Sequence, residues 1–205
     1  QSYVGGLQLR LQHGSATFAD VQIAIDRIAG QLERATEIMR SVRSFVSRKP
    51  VPQVETDLGA LCRKTLTLME PQLRDAQVRP EVRAEPDLPL VRCNAVEIQQ
   101  VLVNLLLNAL DAMQDTPAEQ RRLEIRLERE KNAMLAVVVR DAGCGIPPDV
   151  AARLFEPYFT TKPTGLGMGL MICRNIVESH GGALRLVPGR CRGSSFKFTL
   201  RTVER

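Results

Sequence analysis

Tryptophan is absent from the 205 residues, and tyrosine and histidine occur twice each. With aromatics at 4% and no Lys/Arg-rich run, the stacking platforms and basic stripe of a nucleic-acid reader are missing. No nucleic-acid partner is therefore expected, and the net charge of +5 suits an anionic ligand or an acidic partner. No apolar run approaches the roughly 18 residues of a membrane helix. The longest apolar stretch is interrupted by Asn104 and Asn108. A secretory signal is lacking too, because Val4 to Leu11 is broken by Gly5, Gly6 and Arg10. The cysteines, Cys62, Cys93, Cys144, Cys173 and Cys191, are odd in number and show no CxxC spacing. That argues against a disulfide framework and a zinc site, and it reads as thiols kept reduced in a cytoplasmic setting. A start at Gln1 rather than Met is read as the start of a fragment.

What is present is enough apolar content, 44%, for a core. Residues Val21, Ile25, Ile28, Leu32, Ala35, Met39, Val42 and Val46 step alternately by four and three, a heptad seam on a long helix. Asp20 is its expected start, without a full capping box. Val4, Leu7 and Leu11 form a shorter apolar stripe, and His13-Gly14-Ser15 offers a turn. Residues 1–49 thus read as an antiparallel helical hairpin, and one seam alone cannot be buried. A second copy is expected to complete a dimeric four-helix bundle.

Pro50 and Pro52 mark residues 50–56 as a linker. Residues 57–205 read as a second domain. Helices are expected from Leu58 to Arg74, Ala95 to Met113 and Leu166 to Ser179. Strands are expected from Gln77 to Arg83, Leu123 to Glu130, Met134 to Asp141, Ala183 to Val187 and Ser195 to Thr202. Without a strict strand-helix-strand repeat, the expectation is α+β. It takes the form of a two-layer α/β sandwich, with one mixed sheet and helices on one of its faces.

Four segments carry chemistry. Asn104 and Asn108 share a face of the long apolar helix, either as satisfied structural amides or as hard oxygen ligands for magnesium. Asp141-Ala-Gly143-Cys-Gly145-Ile-Pro147 follows a buried strand. It is either a tight turn or a carboxylate placed for an exocyclic amine, with glycines that let a planar ring approach. Leu154-Phe155-Glu156-Pro157-Tyr158-Phe159-Thr160-Thr161-Lys162 clusters three aromatics, as a hinge or as core. Gly165-Leu-Gly167-Met-Gly169-Leu170 opens a helix, where unpaired amides make an anion site, and no strand leads into it as a dinucleotide fingerprint requires.

In this order and spacing the four segments resemble the N, G1, F and G2 boxes of sensor histidine kinases of two-component systems. Phe159-Thr-Thr-Lys162 and Ile176-Val-Glu178-Ser-His180-Gly-Gly182 resemble the nitrogen-regulation and oxygen-sensing types. The resemblance covers about Asp57 to Leu200, and residues 1–49 resemble part of the family's dimerisation and phosphotransfer hairpin. It implies an ATP-binding catalytic domain of the gyrase, Hsp90, histidine kinase and mismatch-repair superfamily, with ATP and Mg2+ as its ligands. It also implies a homodimer and a response-regulator receiver domain as partner.

By residue, it implies Asn108 as the magnesium ligand, with Asn104 one turn earlier and Lys162 reaching the phosphates; these three make the catalytic set. ATP contacts are implied for Asn108, Asp111, Asp141, Gly143, Gly145, Ile146, Phe159, Thr161 and Lys162. They are implied as well for Gly165, Leu166, Gly167, Met168, Gly169, Leu170 and, through water, Ser195. Related hydrolytic ATPases carry a glutamate base four residues before the magnesium Asn, where this chain has Asn104. Transfer to an imidazole is therefore expected over hydrolysis.

The chain departs from the family at the phosphoacceptor. His13 precedes Gly14-Ser15 rather than Glu, and His180 sits in a Ser-His-Gly-Gly turn with an expected structural role. No acceptor histidine is expected in this chain, and the expected place for one is upstream of Gln1. The alternatives are a nucleotide-binding scaffold that never had an acceptor, or a hydrolytic ATPase.

Overall fold

The computed structural model describes residues 10–13, 15–28, 30, 52–162, 166–187 and 193–203. It divides into two units, Gln1–Lys49 and Pro50–Arg205. Of the expected seam, Leu32, Ala35, Met39, Val42 and Val46 lie outside the described residues, as do Val4, Leu7 and Gly14.

In the first unit, residues 10–12 and 18–28 are helical. The second of these helices starts earlier than expected at Asp20, because Thr17 is its N-cap. The Asp20 carboxylate accepts from the Thr17 N–H (2.9 Å) and hydroxyl (2.7 Å), while the Asp20 N–H donates to Thr17 Oγ1 (3.3 Å). This is a reciprocal capping box with Asp in place of Glu. Arg10 ties into it through a 2.9 Å ion pair with Asp20. Phe18, Ile25 and Ile28 are exposed.

The second unit runs β1 (Val54–Thr56), α1 (Leu58–Leu68), α2 (Glu70–Asp75), β2 (Pro80–Ala84), β3 (Val91–Cys93) and α3 (Ala95–Ala112). It continues with β4 (Leu123–Glu130), β5 (Met134–Asp141), α4 (Pro148–Arg153), α5 (Gly169–Ser179), β6 (Ala183–Leu186) and β7 (Ser195–Arg201). The main sheet has order β2-β4-β5-β7-β6; β2 and β4 are parallel and the other pairs antiparallel. Alternation along the strands sends Leu123, Ile125 and Leu127, Leu135, Val137 and Val139, and Phe196, Phe198 and Leu200 to one buried face. Helix α3 supplies Ile98, Val101, Leu102, Leu105 and Leu106 to the same core, and α5 supplies Ile172, Cys173, Ile176 and Val177. The opposite face is polar, with Lys197 bonded to Glu130 (2.6 Å) and Glu128 (3.4 Å). The mixed sheet with helices on one face is the architecture expected from the sequence.

Four boundaries differ from the sequence expectation, each for a local reason. Val54–Thr56, placed in the linker by its prolines, pairs antiparallel with β3, which alternation over three residues was too short to reveal. The helix expected from Leu58 to Arg74 is two helices broken at Met69, since Pro71 has no N–H to bond to Thr67. The strand expected from Gln77 begins at Pro80, because Gln77 and Val78 are used to close α2. Gln77 lies at φ 53°, its N–H bonds to Arg74 O, and the Val78 N–H bonds to Leu73 O, a Schellman closure. The helix expected from Leu166 begins at Gly169 because Gly167 turns at φ +67°; a Cβ there would come within 2.5 Å of the Phe159 carbonyl oxygen. No helix among the described residues is long and apolar enough to cross a membrane.

Candidate functional site

The site is built around the C-terminal half of α3. Asn94 caps that helix by accepting from the Val96 N–H (3.0 Å), and the apolar stripe Leu102, Leu105, Leu106 and Ala109 faces the core. Asn104, Asn108 and Asp111 are left on its flank. Asn104 is half-buried beside α5, where burial pushes the Cys173 thiol up to about 12 against a lowering by neighbouring Asn104; the thiol itself lies 4.0 Å from the Val101 carbonyl oxygen of α3. Asn108 and Asp111, one turn apart, receive the same cation. Lys162 Nζ donates to Asn108 Oδ1 (2.8 Å) and to Asp111 Oδ2 (2.5 Å). Two convergent oxygens on one cation are a donor set that also suits a hard metal ion.

The segment after β5 folds against the end of the same helix. The Cys144 N–H donates to the Ala112 carbonyl at 3.1 Å. Gly143 approaches α3 so closely that a Cβ would lie 2.4 Å from that carbonyl oxygen. Asp141 is 4% exposed, and its carboxylate is saturated on one side. Oδ1 accepts from the Gly143 N–H (2.8 Å) and the Ser194 N–H (3.2 Å), while Oδ2 accepts a short hydrogen bond from the Ser194 hydroxyl. A carboxylate held by this many donors is fixed in direction.

Ser194 is the residue the sequence reading missed. It names Ser195, which pairs with Arg140 in the sheet ladder and makes no side-chain contact with Asp141. In a Gly-Ser-Ser-Phe run, only strand alternation separates the two. Phe196 points into the core, so Ser195 points to the other face and Ser194 to the buried side.

The aromatic segment divides between core and surface. Phe155 packs on the core, Phe159 lies under the Arg153 guanidinium at 4.4 Å, and Tyr158 is 75% exposed. The Lys162 N–H bonds Thr160 Oγ1 at 3.0 Å, which fixes the backbone from which the lysine reaches Asn108. Thr161 is exposed. Met168 is buried and is the N-cap of α5, where it offers no capping oxygen, so the first-turn amides there are left for an anion. Leu166, Leu170 and Ile146 pack on the core rim, and Gly145 turns at φ +79°. Gly165 lies outside the described residues. Around α3 the structure brings together Asn108, Asp111, Lys162, Asp141, Gly143 and, unforeseen, Ser194.

His180 has the structural role expected of it. Its Nε2 accepts from the Asn94 N–H (3.0 Å), and its Nδ1 lies 2.7 Å from Ile176 O, so the proton sits on Nδ1. His13 is exposed at a turn.

The sequence pattern of the histidine kinase-, DNA gyrase B- and HSP90-like ATPase family matches residues 93–204. Over 200 residues the chain is 36% identical to the sensor protein TdiS of Thauera aromatica, covering 97% of this chain and 36% of the relative. The chain thus spans about a third of the length of that relative. Among solved structures, the catalytic domain of the histidine kinase ThkA is 31% identical with a TM-score of 0.66, over 74% of this chain and 97% of that one. ThkA in complex with the response regulator protein TrrA is 26% identical with a TM-score of 0.77, covering 98% and 57%.

Proposed function

The chain belongs to the histidine kinase-, DNA gyrase B- and HSP90-like ATPase family, as the ATP-binding catalytic domain of sensor histidine kinases, and from that premise we propose how its residues work. It positions ATP for transfer of the γ-phosphoryl to a histidine on a longer or separate chain, from which the group passes to an aspartate of a response-regulator receiver domain. The complex of ThkA with TrrA supports that partner class.

Asp141, steered by Ser194 and Gly143, accepts from the adenine amine. Gly145 and Ile146 line the ring, with Ser195 at one remove. The Gly167-to-Leu170 turn and the α5 amides face the phosphates, together with Thr161 and Phe159. Asn108, beside Asp111, would hold a magnesium ion, whose charge neutralises the phosphates. Lys162 supplies a further positive charge, and Asn104 lies one turn before Asn108.

The single observation that carries transfer over hydrolysis is the state of the site's carboxyl and amide groups. Asn104 holds the position one turn before Asn108 and cannot take a proton. Asp111 is engaged by Lys162 and would lie beside the metal ion in the loaded site, and Asp141 is engaged by Ser194. The attacking group therefore has to be a nucleophile that needs no base here, such as a neutral imidazole. The apolar surface of Phe18, Ile25 and Ile28 supports a homodimer through residues 1–49, and the catalytic domain takes in β1, so the connection is confined to the residues before Val54. Reduced, buried Cys62, Cys93 and Cys173 fit a cytoplasmic location.

The test is phosphotransfer in trans. The chain, given Mg2+ and γ-labelled ATP, is mixed with a longer sensor kinase that carries an acceptor histidine and an inactivated nucleotide site. Acid-labile label on the acceptor chain, with none on this chain alone, is the expected result. Release of inorganic phosphate at a comparable rate without the acceptor would revive the hydrolytic reading, and stable label on His13 would overturn the assignment of the acceptor elsewhere.

A further inference from the structure

Lys162 reaches across the fold to a pair of oxygens 54 and 51 residues away in sequence, so its place on α3 is a tertiary feature and not a local turn contact. The ammonium sits between Asn108 Oδ1 and Asp111 Oδ2, the two hard donors that face the phosphate side of the site. A divalent ion and an ammonium placed on the same two oxygens repel at contact distance, so each lowers the occupancy of the other. We propose that Lys162 is a tethered stand-in for the metal ion. It holds the Asn108–Asp111 pair in the nucleotide-free chain and is exchanged out when the metal arrives with nucleotide. This inference rests on the nucleotide-site reading above and adds a regulatory contact to it.

Two features fit an exchangeable occupant rather than a fixed structural pair. The Lys162 and Asp111 side chains are 43% and 42% exposed, so solvent screens the pair and its release exposes no buried charge. The backbone pivot is nevertheless held, by the Lys162 N–H on Thr160 Oγ1, so the side chain can leave without the segment unravelling. The ammonium also neutralises Asp111 while no metal is present, which keeps an unpaired carboxylate from repelling the phosphates of an incoming nucleotide. The cost of such a device is a raised metal requirement, because apparent affinity falls by the fraction of time the pair is free.

The experiment is displacement of a fluorescent nucleotide by ADP from the full chain, in EDTA and across a Mg2+ series. It uses the wild type, Lys162→Met, Asp111→Asn and the double variant. The Mg2+ concentration at which half of the metal-dependent tightening is reached is the quantity compared. Lys162→Met is expected to lower it by about threefold or more, since the competitor is gone. In the Asp111→Asn background the same substitution is expected to change it by less than about 1.5-fold, because the ammonium is no longer held over Asn108. Manganese titration read by electron paramagnetic resonance gives the same comparison without a fluorophore. A metal requirement unchanged or raised in Lys162→Met, whatever its ADP affinity, overturns the exchange, and ADP binding by the wild type leaves the nucleotide site standing. Absence of ADP binding in the wild type overturns both.

Discussion

The two ends of the site are built to opposite standards. At the Asp141 end the carboxylate is 4% exposed and takes three donors from two segments, while Gly143 and Cys144 are wedged against the Ala112 carbonyl. At the Lys162 end the contact is one ammonium on two half-exposed side chains. Buried networks of this kind are costly to break, whereas exposed ion pairs contribute little. The difference separates recognition from exchange. Under the proposed function, the Asp141 end would read the base with groups already fixed, and the Lys162 end would change occupant.

The comparison breaks most readily at Asp141. Asp141→Asn places an amide donor against the Ser194 hydroxyl and amide, and nucleotide affinity is expected to fall by about 100-fold, or about 2.7 kcal/mol. Displacement titration measures it, and a loss under tenfold would mean the carboxylate is not the base-reading group.

The next effect is a pH dependence. Burial raises Cys62 and Cys173 from 9.0 to about 12, so the folded chain keeps protons that the unfolded chain gives up. That contribution is whole below pH 9 and is lost as pH rises from 9 toward 12, at about 1.4 kcal/mol per pH unit per thiol. Urea midpoints between pH 8 and 10.5 should decline in the wild type more than in a chain with Cys62→Ala and Cys173→Ala.

Ser194→Ala removes one neutral hydroxyl donor but leaves two amides on Asp141. It is expected to weaken nucleotide binding about tenfold, or about 1.4 kcal/mol, whereas Ser195→Ala should leave it within about twofold. Equal effects of the two would show that strand alternation misplaces the contact. Smallest of all, Lys162→Met should move the unfolding midpoint of the nucleotide-free chain by less than about 1 kcal/mol, as for other exposed pairs. A larger loss would make the pair structural and close the gap between the two ends.

The sheet and its covering helices were legible because their signals are long. Leu123 to Glu130 alternates over eight residues, and the α3 stripe repeats over five turns, so burial and periodicity agree. The base-reading end was half legible: Asp141 and Gly143 stand out as types, but the choice of Ser194 over Ser195 depends on which face Phe196 takes. The elements missed are short or closed by backbone geometry. Strand β3 has three residues, α4 six, and the Gln77 turn puts a non-glycine at positive φ. The capping box at Thr17 uses Asp where Glu is the usual signal. The contact of Lys162 with Asp111 was out of reach altogether, since nothing local links positions 51 residues apart.

The bond from the Asn94 N–H to His180 Nε2 pins the first turn of α3 to the last turn of α5. With 18 residues rising about 1.5 Å each, α3 is a rod of about 27 Å with an imidazole at one end and the exchangeable cation near the other. That ring is bonded at both nitrogens and shielded from solvent, so its N–H should exchange with solvent more slowly than that of the exposed His13.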